Sequence, residues 1–149
     1  MTTEARPLAG KDRRTILTYG TFDLFHVGHV RLLRRLAELG DRLIVACSTD
    51  EFNALKGKQT AIPFAHRVEV LEACKHVDLV IPEERWEQKR QDIVDHKVNL
   101  FAMGDDWAGR FDDLRDLCDV LYLPRTQNVS TTELKELIQT MRQRPPAAE

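Results

Sequence analysis

The sequence predicts an α/β fold in which helices cover both faces of a doubly wound, five-stranded parallel sheet. Two observations lead to this prediction. Short, β-branched apolar runs alternate along the chain with segments whose apolar residues recur at helical spacing. Within the strand-like runs the apolar residues stand at consecutive positions, which is typical of strands that are buried on both faces.

Five runs are predicted to be strands, and glycine, proline or charged residues bound each of them. In chain order they are TILTY at 15–19, RLIVACS at 42–48, VDLVI at 77–81, NLFAM at 99–103 and DVLYL at 119–123. Because strands and helices alternate over the whole length, right-handed crossovers should connect the strands, and the architecture is predicted to be Rossmann-like.

Five segments have the apolar spacing of helices. They extend from Val30 to Ala37, Val68 to Ala73, Trp86 to Ile93, Leu114 to Leu117 and Leu134 to Met141. In a doubly wound sheet, ligands bind beyond the carboxyl ends of the strands. The segments that follow the strands are therefore the candidates for function.

Size and charge limit the domain organisation and the classes of partner. The chain has 149 residues, and its 22 Lys and Arg against 24 Asp and Glu give a net charge of −2. A chain of this size is expected to form one domain, here over residues 13–142, between flexible tails at 1–12 and 143–149. Near-neutrality argues against a partner held mainly by charge, so we expect neither nucleic acid nor a membrane as a partner.

The sequence also predicts a cytoplasmic location. Cys47, Cys74 and Cys118 lie far apart and form no CxxC pair, which favours reduced thiols over a disulfide framework or a zinc site. The first residues have no apolar leader, and the longest apolar runs fall far short of the roughly 20 residues that span a bilayer.

Gly20 to His29 connects the first strand to the first helix and is a candidate anion site. Backbone N–H groups at the start of a helix attract anions, Gly28 lets a phosphate approach the backbone, and His26 and His29 project to one side. Two simpler interpretations remain open at this point. The residues could form a helix cap with two half-exposed histidines, or half of a zinc site that lacks its other ligands.

Three other segments that follow strands contain groups suited to phosphates or sugars. Lys56 and Lys58 lie in a loop after the second strand, although a short cationic loop is usually only solvated. MGDDW follows the fourth strand. Ser130, Thr131 and Thr132 stand where the last helix should start, and one hydroxyl there is also an ordinary N-cap.

At this point the motifs show a family resemblance. YGTFDLFHVGH resembles the first signature of the HxGH nucleotidyltransferase family, and PRTQNVSTTELKELI resembles its second signature, of the RTxGxSTT type. STDEFNALKGK, HRVEVLEACKHVDLVIPE, WEQKRQDIVDH and MGDDWAGRFDDL are similar to family members that use glycerol 3-phosphate. The likeness extends from Thr15 to Met141.

The resemblance implies an activity, a cofactor and an assembly. The activity is the transfer of CMP from CTP to a small phosphate, with glycerol 3-phosphate as the expected acceptor and CDP-glycerol and pyrophosphate as products. Mg²⁺ is expected with CTP, held mainly by the triphosphate rather than by protein ligands. A homodimer is the implied assembly.

The resemblance also implies a role for each matched residue. The catalytic residues are expected to be His26, His29, Lys58 and Arg125. Nucleotide contacts are expected from these four and from Thr21, Phe22, Gly28, Gly104, Asp106, Thr126, Val129, Ser130, Thr131 and Thr132. Lys56, Lys75 and Lys89 are expected at the acceptor, and Asp23 is expected to order the loop after the first strand.

Some residues depart from the family pattern. Asn128 stands where glycine is usual, Gln59 where another lysine is common, and Lys75 where arginine is expected, although lysine cannot make a bidentate phosphate contact. These differences leave open another small phosphate or a phosphonate as the acceptor. A nucleotide-binding regulatory module without catalysis is an alternative of another class, but such a module would not need both histidines.

Overall fold

The computed structural model describes residues 14–125 and 130–143 of the 149-residue chain. The predicted flexible tails, at 1–12 and 143–149, lie outside this part except for Gln143, the last residue of a helix. The predicted domain boundaries therefore stay predictions.

A five-stranded sheet forms the centre of the fold. The strands are β1 (Thr15–Gly20), β2 (Arg42–Ser48), β3 (Leu79–Glu83), β4 (Leu100–Gly104) and β5 (Asp119–Leu123). They pair in the order β3-β2-β1-β4-β5, and every pairing is parallel. The predicted Rossmann-like, doubly wound sheet is confirmed.

In the described part of the chain, five α-helices connect the strands or follow them. They are α1 (Val27–Ala37), α2 (Asp50–Leu55), α3 (Phe64–Ala73), α4 (Lys89–Asp95) and α5 (Thr131–Gln143). Short 3₁₀ helices occupy Trp86–Gln88, Asp105–Trp107 and Asp112–Asp116. No helix among the described residues is long and apolar enough to cross a bilayer.

The predicted α-helix around Leu114 and Leu117 is wrong. The structure has a 3₁₀ helix at Asp112–Asp116, in which Leu114 is buried. The segment is too short for an α-helix to nucleate easily. Its aspartates also favour turns, because their side chains compete for backbone hydrogen bonds.

The segment after β2, predicted to be a loop, begins with helix α2. Thr49 begins this helix as its N-cap, and its hydroxyl oxygen accepts a hydrogen bond from the backbone N–H of Phe52 at 3.0 Å. Asp50 and Glu51 in the first turn favour a helix start. Lys56 therefore follows directly on a helix and is not in the middle of a loop.

Both faces of the sheet are buried, as the consecutive apolar residues predicted. Along β2, Leu43, Val45 and Cys47 pack on one side, while Ile44 and Ala46 pack on the other. On the first face the core includes Leu33 and Leu36 of α1 and Leu71 of α3; on the second it includes Ile93 of α4 and Leu114. The helices therefore leave the carboxyl edge of the sheet as the place for a ligand.

The turn from α1 to β2 gives a test of the packing. A Cβ atom on Gly40 would lie 2.7 Å from the carbonyl oxygen of Arg14, which is fixed because it accepts hydrogen bonds from Asp41 and Arg42. We expect Gly40→Ala to lower the free energy of unfolding by about 1–3 kcal/mol. Urea denaturation should show a lower midpoint with an unchanged slope.

Gly104→Ala is the matched control for this experiment. A Cβ atom on Gly104 meets nothing within 4 Å, and its φ of −65° suits any residue. The free energy of unfolding should change by less than about 0.5 kcal/mol. Equal losses in the two variants would contradict the steric explanation.

Candidate active site

The carboxyl ends of β1 and β4 lie side by side at the centre of the sheet, where the order of the strands reverses. Two cavities open there. The larger cavity, of about 460 Å³, includes Thr21, Phe22, Lys56, Lys58 and Lys89 in its wall. The smaller cavity, of about 300 Å³, is lined by His26, Gly28, Gly104, Asp106, Arg125 and Ser130 among others. His29, Thr131 and Thr132 line both, so two ligands would meet at these residues.

The loop from β1 to α1 has an unusual backbone. Phe22 and Leu24 have φ angles of 55° and 50°, in the left-handed region that residues with side chains seldom occupy. Phe22 is buried, so packing holds the loop in this conformation. Helix α1 begins at Val27, three residues before the apolar spacing that predicts it, with His26 as its N-cap.

The hydrogen bonds of His26 fix the position of its proton. Its Nδ1 accepts a hydrogen bond from the backbone N–H of Gly28 at 3.1 Å, so the proton of the neutral ring is on Nε2. This Nε2 lies 3.2 Å from the hydroxyl oxygen of Thr131. Because the Thr131 hydroxyl donates its own proton to the carbonyl oxygen of Asp23 at 3.1 Å, it accepts from His26.

His29 is held in the same way. Its Nδ1 accepts a hydrogen bond from the backbone N–H of His26 at 3.2 Å, which leaves Nε2 as the N–H donor of the neutral ring. The pKa of His29 is lowered to about 4, chiefly by burial and then by the neighbouring His26 ring, which is stacked at a centroid distance of 3.9 Å, while Asp23 opposes this change. Burial also lowers the pKa of His26. The site therefore has two neutral imidazoles with Nε2–H donors at a helix start.

The Ser130 and Thr131 hydroxyls at the start of α5 have different hydrogen-bond partners. The Oγ of Ser130 accepts a hydrogen bond from the backbone N–H of Glu133 at 3.0 Å, which caps the helix. Thr131 contacts His26 and the carbonyl oxygen of Asp23. The simple capping interpretation is thus correct for Ser130, while Thr131 connects α5 to the loop from β1 to α1, which we call the histidine loop.

The lysines differ in their surroundings. Lys56 ends α2, and its Nζ lies 4.4 Å from the centroid of the Phe52 ring and 5.3 Å from that of Trp86. Burial lowers the pKa of Lys56, and Glu83 opposes this change. Lys58 is exposed at the rim.

Lys89 lies at the floor of the larger cavity. Its Nζ is 3.1 Å from Oε2 of Glu83, and only 7% of the Lys89 side chain and 4% of the Glu83 side chain are exposed. The rings of Tyr19, Trp86 and Phe111 surround the ammonium at 4.6, 4.9 and 5.4 Å. The Glu83–Lys89 ion pair is thus shielded from solvent and enclosed by aromatic rings at the floor of the cavity.

Asp106 and Arg125 form an ion pair in the smaller cavity. Their oxygen and nitrogen are 3.2 Å apart, and both side chains are more than half exposed. Gly104 ends β4 in the same wall. A carboxylate and a guanidinium at the rim can contact a ligand without moving any buried group.

Three predicted site residues cannot be assigned to this crevice: Lys75 lies elsewhere, and two others fall outside the described residues. Lys75 is exposed and lies between α3 and β3, at the amino end of β3, where Asp78 accepts a hydrogen bond from the backbone N–H of Leu43. This is the opposite edge of the sheet, so the structure does not bring Lys75 to the predicted acceptor site. Thr126 and Val129, predicted nucleotide contacts, lie outside the described residues.

The family assignment agrees with this geometry. The cytidylyltransferase-like family model matches residues 17–137, which include both cavities. The chain belongs to the cytidylyltransferase-like family.

Curated relatives of this cytidylyltransferase-like chain have specific names. It is 56% identical over 125 residues to the glycerol-3-phosphate cytidylyltransferase of Bacillus subtilis, with 84% of this chain and 97% of the relative covered. It is 51% identical over 123 residues to the enzyme of the same name from Staphylococcus aureus, with 83% and 93% covered. The ethanolamine-phosphate cytidylyltransferase of Arabidopsis thaliana is 42% identical over 98 residues, with 64% of this chain and 23% of the relative covered.

A solved structure supports the fold. The lipopolysaccharide core biosynthesis protein from Thermoplasma volcanium GSS1 superimposes with a TM-score of 0.66 over 77% of this chain and 99% of that one. The two sequences are 19% identical. The comparison therefore supports the arrangement of strands and helices.

Arg67 is the main residue of this cytidylyltransferase-like site that the motifs did not indicate. It is 2% exposed, and its guanidinium donates hydrogen bonds to the carbonyl oxygens of Thr21, Ser48 and Ile62 at 2.9, 2.7 and 2.8 Å. It also pairs with Asp50 at 2.7 Å. One signal was available in the sequence, because Arg67 stands four residues before buried Leu71 on the inner face of α3.

The pKa of His29 predicts an acid-dependent stability. Since this pKa is about 4 in the folded protein and 6.5 is the ordinary value, the unfolded chain binds the proton more tightly. The protein therefore keeps its full stability, as far as His29 is concerned, above about pH 6.5, and it loses stability as the pH falls toward about 4. We expect acidification over this range to lower the free energy of unfolding of His29→Asn by on the order of 2 kcal/mol less than that of the wild type. Asparagine can still accept a hydrogen bond from the N–H of His26.

The measurement is urea unfolding at pH 7 and pH 4.5, with His66→Asn as the control. His66 is exposed on α3 and lines neither cavity, so its replacement should leave the wild-type pH dependence. A pH dependence that is the same in His29→Asn and the wild type would show that His29 is not the group responsible.

Proposed function

We propose that this chain transfers CMP from CTP to glycerol 3-phosphate and produces CDP-glycerol and pyrophosphate. The observation that supports this most is the meeting of two cavities at His29, Thr131 and Thr132. A two-substrate transfer needs such a place, and the relatives named as glycerol-3-phosphate cytidylyltransferases match nearly the whole described domain. The smaller cavity is assigned to the nucleotide and the larger cavity to the acceptor, with the triphosphate between them.

In the proposed step, an oxygen of the acceptor phosphate attacks the α-phosphorus of CTP. A new phosphorus–oxygen bond forms, the bond from the α-phosphorus to the bridging oxygen of the β-phosphate breaks, and pyrophosphate leaves with the electron pair. The nucleophile is already an anion, so the reaction needs alignment and charge stabilisation more than a base.

The histidines suit this need as donors. Each Nδ1 is occupied by a backbone N–H, so each neutral ring offers Nε2–H. We assign these donors, together with the backbone N–H groups at the start of α1, to the phosphate oxygens on which negative charge increases. The backbone hydrogen bonds to Nδ1 hold both rings in place, but Nε2–H of His26 donates to Thr131, so a phosphate oxygen would have to replace or share that contact.

Lys56 and Lys58 are assigned to the acceptor phosphate and the triphosphate. Lys56 is partly desolvated, which strengthens its attraction for an anion, and Lys58 is exposed where a triphosphate would enter. Arg125, Asp106, Gly104 and Gly28 are assigned to the nucleotide, because they line the smaller cavity.

A magnesium ion, a homodimer and a cytoplasmic location complete the proposal and rest on the family resemblance and the composition. Among the described residues, no three His, Cys, Asp or Glu side chains form a metal-binding group. Asp23, the carboxylate nearest to the histidines in the sequence, is already occupied by backbone N–H groups. The triphosphate would therefore supply most of the oxygen ligands that Mg²⁺ prefers, and the ion would neutralise its charge.

A matrix of nucleotides and acceptors tests the proposed function. We expect pyrophosphate release with CTP, Mg²⁺ and glycerol 3-phosphate, and little with ATP or without an acceptor. His26→Ala, which removes one donor, should lower kcat by about 100–1,000-fold. No release from CTP and glycerol 3-phosphate would overturn the acceptor assignment, and release with phosphocholine or phosphoethanolamine instead would identify another acceptor. Nucleotide binding with no turnover for any acceptor would favour a regulatory module.

Lys58→Ala tests the assignment of the lysine to the triphosphate. We expect a decrease of about 10–100-fold in kcat/KM for CTP, since a charge-assisted contact to phosphate is lost. Arg34→Ala is the matched control, because Arg34 is exposed in the last turn of α1 and lines neither cavity. An equal decrease in both variants would indicate a general effect of net charge.

A further inference from the structure

The charges around the larger cavity are unequally paired. Four lysines line it, and two of them are neutralised: Lys89 by Glu83 at 3.1 Å and Lys135 by Asp23 at 3.3 Å. In the part of the chain that the structure describes, Lys56 and Lys58 form no ion pair. The acceptor phosphate would therefore go to Lys56, beside Lys58 and the triphosphate, rather than to Lys89, because the Glu83–Lys89 pair has no net charge.

The Glu83–Lys89 pair then faces the other end of the acceptor. Glu83 is the last residue of β3 and Lys89 the first of α4, so both are fixed to the scaffold. Oε2 of Glu83 accepts a hydrogen bond from Lys89, while Oε1 has no donor among the described residues. The pair thus presents a free carboxylate oxygen beside ammonium N–H groups at the floor of the cavity.

The chemistry of this floor matches a neutral polyol. A hydroxyl can donate to the carboxylate oxygen and accept from the ammonium at the same time. A carboxylate, a second phosphate or an ammonium group at that end would lose its hydration without gaining an unpaired countercharge, because Glu83 and Lys89 already neutralise each other. An alkyl end would leave Oε1 unpaired in a desolvated place.

We infer that Glu83, supported by Lys89, selects acceptors whose far end bears neutral hydroxyl groups and rejects phosphates with a charged or alkyl far end. This inference rests on the proposed function, since it concerns the acceptor of the same reaction. Glu83 acts as a specificity-determining residue: it binds the hydroxyl end of the acceptor, while Lys56 binds the acceptor phosphate and Lys58 the triphosphate of CTP.

The test compares three acceptors that share the phosphate and differ at the far end. They are glycerol 3-phosphate, 3-phosphoglycerate with a carboxylate, and propyl phosphate without hydroxyls. In the wild type, kcat/KM for glycerol 3-phosphate should exceed the other two values by about 10–100-fold. Use of 3-phosphoglycerate or propyl phosphate with equal efficiency would overturn the inference without any variant.

Glu83→Gln separates a specific role from a structural one. This change keeps the size of the side chain and removes the negative charge. We expect kcat/KM to fall about 10–100-fold for glycerol 3-phosphate, to change less than about 3-fold for propyl phosphate and to rise for 3-phosphoglycerate, with KM for CTP unchanged. An equal loss for all three acceptors would indicate that Glu83 only supports the fold.

A double variant covers the case in which Glu83→Gln does not fold, because a buried lysine without its partner is costly. Glu83→Gln with Lys89→Met removes both charges, and it should lose the preference for glycerol 3-phosphate over propyl phosphate. Thermal stabilisation by CTP would show that the variant is folded. If it keeps the wild-type preference, the inference fails while the proposed function stands; if the wild type forms no product from any acceptor, both fail.

Discussion

The carboxylate of Asp23 holds together three segments that are far apart in the sequence. It is 3% exposed and accepts hydrogen bonds from the backbone N–H groups of Ala61 and Ile62 at 2.7 and 2.9 Å, and it pairs with Lys135 of α5 at 3.3 Å. Burial alone would raise the pKa of Asp23, but these contacts outweigh burial and lower the pKa. The carbonyl oxygen of Asp23 also accepts a hydrogen bond from the Thr131 hydroxyl. Asp23 therefore connects the histidine loop, the loop after α2 and the start of α5.

Arg67 provides the complementary buried cation. Its guanidinium contacts the end of β1, the end of β2 and the loop at Ile62, which Asp23 also holds. A buried charge is tolerated only when its hydrogen-bonding groups are satisfied, and removal of one partner of such a pair typically costs about 3–5 kcal/mol. The strained loop around Phe22 is thus fixed from both sides, which explains how a non-glycine residue keeps a φ of 55° there.

The sequence predicted the sheet well because its signal is local. Consecutive apolar residues define each strand, and alternation with helices determines the topology. The site could be predicted only in part. His26 and Thr131 were found because motifs place them at helix starts, and Asp23 was expected to order its loop. The Glu83–Lys89 pair and the five contacts of Arg67 depend on residues that meet only after folding. Spacing places Arg67 on the inner face of α3 but does not identify its partners. Lys75 shows the converse, since a position matched in the sequence lies at the amino end of β3, away from the other predicted acceptor residues of this chain.

The small net charge of −2 is consistent with a site for two polyanions because most of the charges near the site are paired. Asp23 and Glu83 neutralise two of the four lysines of the larger cavity, and the histidines are neutral. Among the described residues, few unpaired cations therefore remain at the larger cavity to attract anions that do not react. In the proposed reaction, Nε2–H donors fixed by backbone hydrogen bonds would contribute most where charge develops, on the transferred phosphate and the leaving pyrophosphate. Interactions that strengthen in the transition state accelerate a reaction, whereas uniform attraction for phosphate only tightens binding. Pairing the surplus lysines therefore favours turnover over tight retention of substrates and products.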